Sequence, residues 1–186
     1  MLLCLYAGIL LNRRFYTCFT SKYKTGHLLY SYIEKMEVIM LFILIVVLII
    51  FIEWKLKNYV EAVYDSHKKT FILNDRILVR KYHNYGAFLN ILEKKKKLLH
   101  MISLIFTLLI TVFFLLTLCR KGNHVLKLGL SLLLGGAFSN TYDRLSRNYV
   151  VDYFSFCSPF TKLNQIVFNI SDFCIIIGAL LTVLHS

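Results

Sequence analysis

The apolar residues of this chain fall into four long segments separated by polar, basic stretches. A membrane-spanning helix needs about 20 apolar residues, within a range of about 17–25. The second segment (residues 98–119) and the fourth (166–184) are long enough as they stand, whereas the first needs its flanks (36–54) and the third must continue over 125–142. The pattern predicts an all-α membrane protein with four transmembrane helices at about these positions.

A different pattern separates the first two predicted spans. The runs Thr70-Phe-Ile-Leu and Arg76-Ile-Leu-Val-Arg-Lys-Tyr are rich in β-prone residues and flank Asn74-Asp75, which is typical of a hairpin. We therefore expect a small extramembrane β-structure between helices 1 and 2. Residues 148–164 are predicted to form a second extramembrane loop.

Residues 1–35 are predicted to be an N-terminal extension, and residues 36–186 the membrane domain. The apolar run at residues 2–11 is too short to span a bilayer, and it lacks the basic start and cleavage site of a signal peptide. Two interpretations stay open: a surface helix, or an extension upstream of a true start at Met36 or Met40. We favour the second.

The amino-acid composition is that of a membrane protein, and the net charge indicates which kind of binding partner to expect. The chain is 58% hydrophobic with a mean hydropathy of +0.63, against about 45–50% apolar residues in soluble domains. Its net charge of +12 would suggest nucleic acid in a soluble protein. Here the basic residues lie between apolar spans, so we expect membrane lipid headgroups as the partner and no nucleic acid.

The five cysteines are odd in number, scattered and without a C-x-x-C pair. This spacing indicates neither a disulfide framework nor a zinc site. We therefore predict no metal and no cofactor.

The candidate chemistry lies in three aspartates at the edges of apolar segments: Asp143, Asp152 and Asp172. A carboxylate near a bilayer is costly and indicates a functional site. With four spans, Asp152 and Asp172 face the same compartment near the same leaflet. Two adjacent carboxylates do not both ionise readily, so one keeps a proton near neutral pH. Such a pair can activate water and protonate a carbonyl oxygen, as in aspartic proteolysis.

Other interpretations of these aspartates remain open. They could reach water at the membrane interface or form ion pairs with Arg144 and Arg147. The three could serve as a relay in a small ion- or proton-coupled transporter, although residues 98–118 show no polar pathway. A catalytically inactive membrane partner protein is a third alternative.

Three motifs stand in order along the chain: Gly135-Gly-Ala-Phe-Ser-Asn-Thr-Tyr-Asp-Arg144, Tyr149-Val-Val-Asp-Tyr-Phe, and Phe168-Asn-Ile-Ser-Asp172. They resemble those of the lipoprotein signal peptidases (signal peptidase II), which read approximately G-G-A-x-G-N-x-x-D-R, V-V-D-F and F-N-x-A-D. Residues 53–57 more weakly resemble the family's D-x-x-T-K, and Asn84-Tyr-Gly-Ala-Phe resembles its N-x-G-A-A-F. The resemblance covers residues 38–185.

The resemblance implies an aspartyl endopeptidase of the bacterial cytoplasmic (inner) membrane, and we expect it to be a monomer. Such an enzyme removes the signal peptide of a diacylglyceryl-modified prolipoprotein, cleaving before the lipidated cysteine. The roles it implies are catalysis by Asp152 and Asp172, substrate binding by Asn140, Arg144, Asn84 and Gly86, and support by Asn169 for Asp172 and by Asp143 for Arg144.

Some positions depart from the family pattern: Ser139 replaces a glycine, Ser171 an alanine, Leu56 a threonine and Glu53 an aspartate, and the motif at Asn84 lacks one alanine. Glu53 is left without a role, and Lys57 is predicted to lie at the water interface beside Trp54.

The distribution of basic residues disagrees with the resemblance on orientation. Lys and Arg are more numerous on the side of residues 54–97, which by the positive-inside rule would place the aspartates in the cytoplasm. The resemblance places them on the outer side. We follow the resemblance, because the substrate is exported.

Overall fold

The computed structural model describes residues 24–65, 69–86, 96–157, 164 and 166–185. Within these residues it contains, in chain order, helix α1 (Lys24–Val63), strands β1 (Lys69–Ile72) and β2 (Ile77–Asn84), helices α2 (Lys96–Leu118) and α3 (His124–Arg147), strand β3 (Val150–Phe156) and helix α4 (Ile170–Leu184).

The chain divides into two units, Met1–Leu41 and Phe42–Ser186. In the first unit the structure describes the beginning of α1, which starts at Lys24, inside the predicted extension. Predictions for residues 1–23, including the apolar run at 2–11, lie outside the described residues. All residues of the candidate site described below belong to the second unit.

Two helices are long and apolar enough to cross a membrane by length and composition. They are Tyr32–Val63 within α1 and Lys96–Leu118. Their outward side chains are largely apolar and exposed, such as Leu48, Phe51 and Leu109, as expected for surfaces that face lipid. The first and second predicted spans thus coincide with helices, and α1 is much longer than predicted.

Helices α3 and α4, which correspond to the third and fourth predicted spans, do not meet the criteria of length and apolar composition together. Helix α3 carries Lys127 and Asp143 as buried side chains among its apolar ones. Helix α4 has 15 residues, fewer than a complete span requires. It begins at Ile170 and not at 166, because Asn169 adopts an extended backbone and caps the helix. The four-span topology therefore stays a prediction.

Glycines bring α3 and α4 into backbone contact. A Cβ atom added at Gly178 would lie 2.5 Å from the Leu133 nitrogen and 2.6 Å from the Gly129 oxygen. A Cβ at Gly136 would lie 2.5 Å from the Ser171 oxygen. Small residues allow helices to pack this closely in membrane proteins. We call these contacts the glycine seam, and they hold the start of α4 against α3.

The predicted hairpin is confirmed as β1 and β2, which pair antiparallel. Leu73, Asn74 and Asp75 form its turn with φ between 54° and 61°. The sheet has a third strand, β3, which pairs antiparallel with β2. The prediction that residues 148–164 form a loop was therefore wrong for Val150–Phe156. Its β-branched and aromatic residues carried the signal of a strand.

Helix α3 continues five residues beyond its predicted end and stops at Arg147. Asn148 ends it with φ 65°, and its N–H donates to the Arg144 carbonyl at 3.1 Å. Asparagine adopts this left-handed conformation more readily than most residues. Because β3 starts two residues later, the last turn of α3 lies beside the strand that carries Asp152.

Candidate active site

Asp152 lies in β3 and is 2% exposed. Its Oδ1 accepts a hydrogen bond from Asn169 Nδ2 at 2.7 Å, and its Oδ2 accepts one from Asn84 Nδ2 at 3.0 Å. The sheet register explains the second contact. Tyr82 pairs with Asp152, so Asn84, two residues on, lies diagonally across on the same face.

Asp172 is the third residue of α4. Its Oδ2 accepts from the Asn169 backbone N–H at 3.1 Å, and the Asn169 side chain accepts from the Asp172 N–H, which completes a capping box. The remaining oxygen, Oδ1, accepts from Asn140 Nδ2 at 3.0 Å. The helix cap therefore fixes the orientation of this carboxylate.

Asn169 connects the two aspartates. Its side chain is fully buried. The amide nitrogen donates to Asp152 Oδ1 and lies 3.3 Å from Asn140 Oδ1, while the amide oxygen holds the start of α4 at Asp172. The predicted span 166–184 included Asn169 within the helix, and the structure instead places it at the helix N-cap. The two predicted catalytic carboxylates are thereby brought into one hydrogen-bonded group.

Burial sets the protonation of Asp152. Removal from solvent, followed by the nearby charge of Asp172, raises the pKa of Asp152 to about 7, although hydrogen bonds from Asn84 and Asn169 oppose the shift. Near neutral pH the pair of carboxylates therefore holds a proton. A pair in this state contains both a proton acceptor and a proton donor.

Lys57 is 1% exposed and contacts the residues that surround the pair. Its ammonium donates to Asn140 Oδ1 at 2.9 Å and to Ser139 Oγ at 3.1 Å, and it forms ion pairs with Asp143 at 3.0 Å and Glu53 at 3.4 Å. The prediction that Lys57 lies at the water interface was wrong. A cation buried with these partners holds Asn140, and through it Asp172, in place.

Asp143 has partners other than the predicted one. It pairs with Lys57 and, at 3.5 Å, with Arg147, and its Oδ2 accepts from the Val151 N–H at 3.3 Å. The ion pair with Arg147 agrees with one of the interpretations left open for the aspartates, and the support for Arg144 that the resemblance implied stays a prediction. The contact with Val151 ties α3 to the strand residue just before Asp152.

Arg144 keeps donors available near the carboxylates. Its Nη1 donates to the Asn140 carbonyl at 3.3 Å, and its Nε is buried without a hydrogen-bond partner among the described residues. A guanidinium carries five N–H donors in a planar fork. Substrate binding by Arg144 stays a prediction.

The other residues predicted to bind substrate take part in the carboxylate group. Asn140 is buried, with both sides of its amide engaged by Lys57, Asn169 and Asp172. Asn84 donates to Asp152 and accepts from the Gly86 N–H at 3.2 Å. These contacts position the aspartates, and substrate contacts by Asn140, Asn84 and Gly86 stay predictions.

Comparisons with known proteins agree on one family. The family model described as signal peptidase (SPase) II matches residues 27–186, which include every residue of the site. The chain belongs to the signal peptidase II family. It is 32% identical over 145 residues to a lipoprotein signal peptidase of Clostridioides difficile (strain 630), a match that covers 75% of this chain and 89% of that protein.

Other members of the signal peptidase II family agree with this assignment. The lipoprotein signal peptidase of Lactiplantibacillus plantarum is 29% identical over 140 residues, covering 75% of this chain and 89% of that protein. Two solved structures, each described as a bacterial membrane enzyme, match the fold with TM-scores of 0.67 and 0.65. Both are 23% identical, and they cover 77% of this chain and 85% and 90% of theirs. The resemblance inferred from the motifs is thus confirmed, and this chain is a membrane protease by family.

The motifs of the signal peptidase II family did not indicate two groups near the site: the buried ion pair Glu53–Lys57 and the hydroxyl of Tyr153. Glu53 and Lys57 are spaced i, i+4 at the end of an apolar helix, which indicates a shared face.

Among the described residues no group of three or more His, Cys, Asp or Glu is arranged to hold a metal ion.

Proposed function

We propose that this protein is an aspartyl endopeptidase that removes the signal peptide of diacylglyceryl-modified prolipoproteins, cleaving before the lipidated cysteine. The observation that carries the proposal is the pair formed by the buried Asp152 and the partly buried Asp172, joined through Asn169. Membership of the signal peptidase II family supplies the substrate class, because its relatives are named lipoprotein signal peptidases.

The pair can perform both proton transfers of peptide hydrolysis. The ionised carboxylate takes a proton from water, whose oxygen bonds to the scissile carbonyl carbon, while the protonated carboxyl donates to the carbonyl oxygen. The resulting diol collapses as the carbon–nitrogen bond breaks. The leaving nitrogen takes a proton from one carboxyl, and the other carboxylate accepts one from a diol hydroxyl. The pair titrates as a unit, so neither aspartate is assigned a fixed role.

Arg144 is proposed to hold the substrate backbone during these steps. Its buried and unpartnered Nε provides a donor for a peptide carbonyl next to the reacting bond. A positioned donor raises the effective concentration of the reacting groups. Asn84 and Gly86 lie at the end of β2, where an extended peptide could contact them.

The activity is tested by incubating the purified protein with a prolipoprotein that carries the diacylglyceryl group and with the same prolipoprotein lacking it. Loss of the signal peptide from the lipid-modified form is the result that supports the proposal. Equal cleavage of both forms would contradict the specificity, and no cleavage of either would contradict the function.

Activity is expected to fall above about pH 7. The pKa of Asp152 is raised to about 7 by burial and by Asp172, and above this pH the pair loses the proton that the carbonyl oxygen needs. We expect kcat/KM to decrease about tenfold per pH unit on this alkaline limb. A pH profile of lipopeptide cleavage measures it, and constant activity from pH 6 to pH 9 would contradict it.

The variant Asn84→Ala sharpens this pH test. The hydrogen bond from Asn84 lowers the pKa of Asp152, because it stabilises the charged form. Removing it raises the pKa, so the alkaline limb should move to higher pH. A shift to lower pH would show that another group controls the limb.

We further propose that all four helices span the cytoplasmic membrane and that the dyad faces the outer side. Supporting this are the apolar helices α1 and α2, the membrane-enzyme fold neighbours and the need to meet an exported substrate. The exposed Cys157 follows β3, and the exposed Cys119 follows α2. These two thiols therefore report on the two predicted sides of the membrane.

Labelling of intact spheroplasts with a membrane-impermeant maleimide tests this orientation. In a chain whose Cys4, Cys18 and Cys174 are replaced by serine, we expect Cys157 to react and Cys119 to react only after lysis. The reverse result would favour the orientation that the basic residues indicate.

A further inference from the structure

Each aspartate is followed or preceded in the chain by a residue whose hydroxyl donates a hydrogen bond to the buried carboxylate of Glu53. Tyr153, directly after Asp152, donates its hydroxyl to Glu53 Oε1 at 2.6 Å. Ser171, directly before Asp172, donates its hydroxyl to Glu53 Oε2 at 2.8 Å. The Glu53 side chain is fully buried, and burial together with Glu53 raises the pKa of Tyr153, which keeps its hydroxyl protonated as a donor.

Two further contacts complete this arrangement. The Ile170 N–H at the start of α4 donates to the Tyr153 hydroxyl at 3.1 Å, so one hydroxyl connects α1, β3 and α4. Lys57 lies 3.4 Å from Glu53 Oε2 and balances its charge. A buried carboxylate needs such partners to remain ionised.

We propose that Glu53 is a positioning residue for the dyad, holding β3 and the first turn of α4 at a fixed separation through Tyr153 and Ser171. The inference rests on the proposed function, because it concerns the rate of that reaction. Each aspartate is one residue from an anchored hydroxyl, so loss of an anchor lets its backbone move. A displacement of about 1 Å at a catalytic group can lower a rate about a hundredfold.

The departures of this chain from the family pattern point the same way. Two of the departures named above belong to this arrangement, since Glu53 replaces an aspartate and Ser171 replaces an alanine. The two oxygens of Glu53 accept from the hydroxyls of Tyr153 and Ser171. The three side chains therefore form one hydrogen-bonded unit, which gives Glu53 a role that its weak motif match did not indicate.

A mutant cycle tests the unit. We expect Tyr153→Phe and Ser171→Ala each to lower kcat about three- to tenfold, and Glu53→Gln about thirtyfold or more, with KM changed less than about twofold. In the Glu53→Gln background the two hydroxyl variants should have little further effect, because their acceptor is already altered. The proposal would be overturned if Tyr153→Phe and Ser171→Ala lowered kcat by the same factor in the Glu53→Gln background as in the wild type. It would also be overturned if kcat were unchanged in all three single variants.

A rescue variant adds a readout that general destabilisation would not produce. Glu53→Asp shortens the carboxylate and leaves a buried hydroxyl without its acceptor, which should lower kcat. Adding Tyr153→Phe and Ser171→Ala removes both hydroxyls, and with them the donor left without an acceptor, so the triple variant should be at least about threefold faster than Glu53→Asp. A triple variant slower than Glu53→Asp would contradict the unit.

Matched controls use exposed residues of the same types: Glu34→Gln, Tyr59→Phe and Ser146→Ala. These should retain wild-type kcat. The outcome is separable from that of the proposed function. If the wild type does not cleave lipid-modified prolipoprotein, the function fails. If the wild type cleaves and the Glu53 variants match their controls, the positioning role fails.

Discussion

Replacing either Asp152 or Asp172 with asparagine is expected to lower the cleavage rate of lipid-modified prolipoprotein by about a thousandfold or more. General acid–base catalysis contributes about 10²–10⁴-fold, and a single altered aspartate removes a proton site that both steps of the reaction share. Asparagine has nearly the same shape, so the variants should still insert into the membrane. Single-turnover cleavage of a purified lipopeptide measures the effect.

The control for these variants is Asp75→Asn in the exposed turn between β1 and β2, which should cleave at the wild-type rate. Asparagine at position 172 can still accept from the Asn169 N–H, so the helix cap is largely retained. Wild-type activity in either dyad variant would show that the pair is not the catalytic group.

Lys57→Met is expected to lower the stability of the folded protein by about 3–5 kcal/mol, because it leaves buried carboxylates without their cation. Methionine fills a similar volume, so the loss reports the charge and not the packing. Glu53 and Asp143 both pair with this ammonium. Thermal unfolding in detergent, followed by circular dichroism, measures the change.

Lys55→Met is the matched control for this loss. Lys55 lies two residues away on the same helix, is exposed, and contacts the rings of Phe51 and Trp54. It should lower stability by about 1 kcal/mol or less. A double variant of Lys57→Met with Asp143→Asn should lose less than the sum of the two single changes, since one unpaired charge is then removed. Equal stabilities of the two lysine variants would contradict the buried network.

That Asp152 and Asp172 lie in one group could be predicted, because each stands in a short motif with a clear chemical logic. Asp152 and Asp172 are carboxylates in apolar surroundings, and that combination is informative wherever it occurs. The helical segments were also predictable at α1 and α2, whose apolar runs are long. The hairpin of β1 and β2 followed from its β-prone residues and its turn.

The surroundings of the dyad were less predictable, for physical reasons. A lysine after a tryptophan at the end of an apolar run has the same local sequence pattern whether its side chain faces water or the protein interior. Lys57 faces the interior because its partners Ser139, Asn140 and Asp143 lie on α3, which is distant in the sequence. Asp143 was assigned to its chain neighbour Arg144, although on a helix i, i+4 partners such as Arg147 share its face. The start of α4 depended on the cap at Asn169, which a hydropathy pattern does not register.

The glycine seam between α3 and α4 limits how this site can evolve. Gly129, Gly136 and Gly178 have no side chain to offer a substrate, yet any substitution at Gly136 or Gly178 would force two backbones apart. The start of α4 would move with them, and Asp172 with it. A change at these glycines is therefore expected to displace the proposed catalytic carboxylates without contacting either of them, whereas changes on the exposed apolar surface of the helices should leave the pair in place.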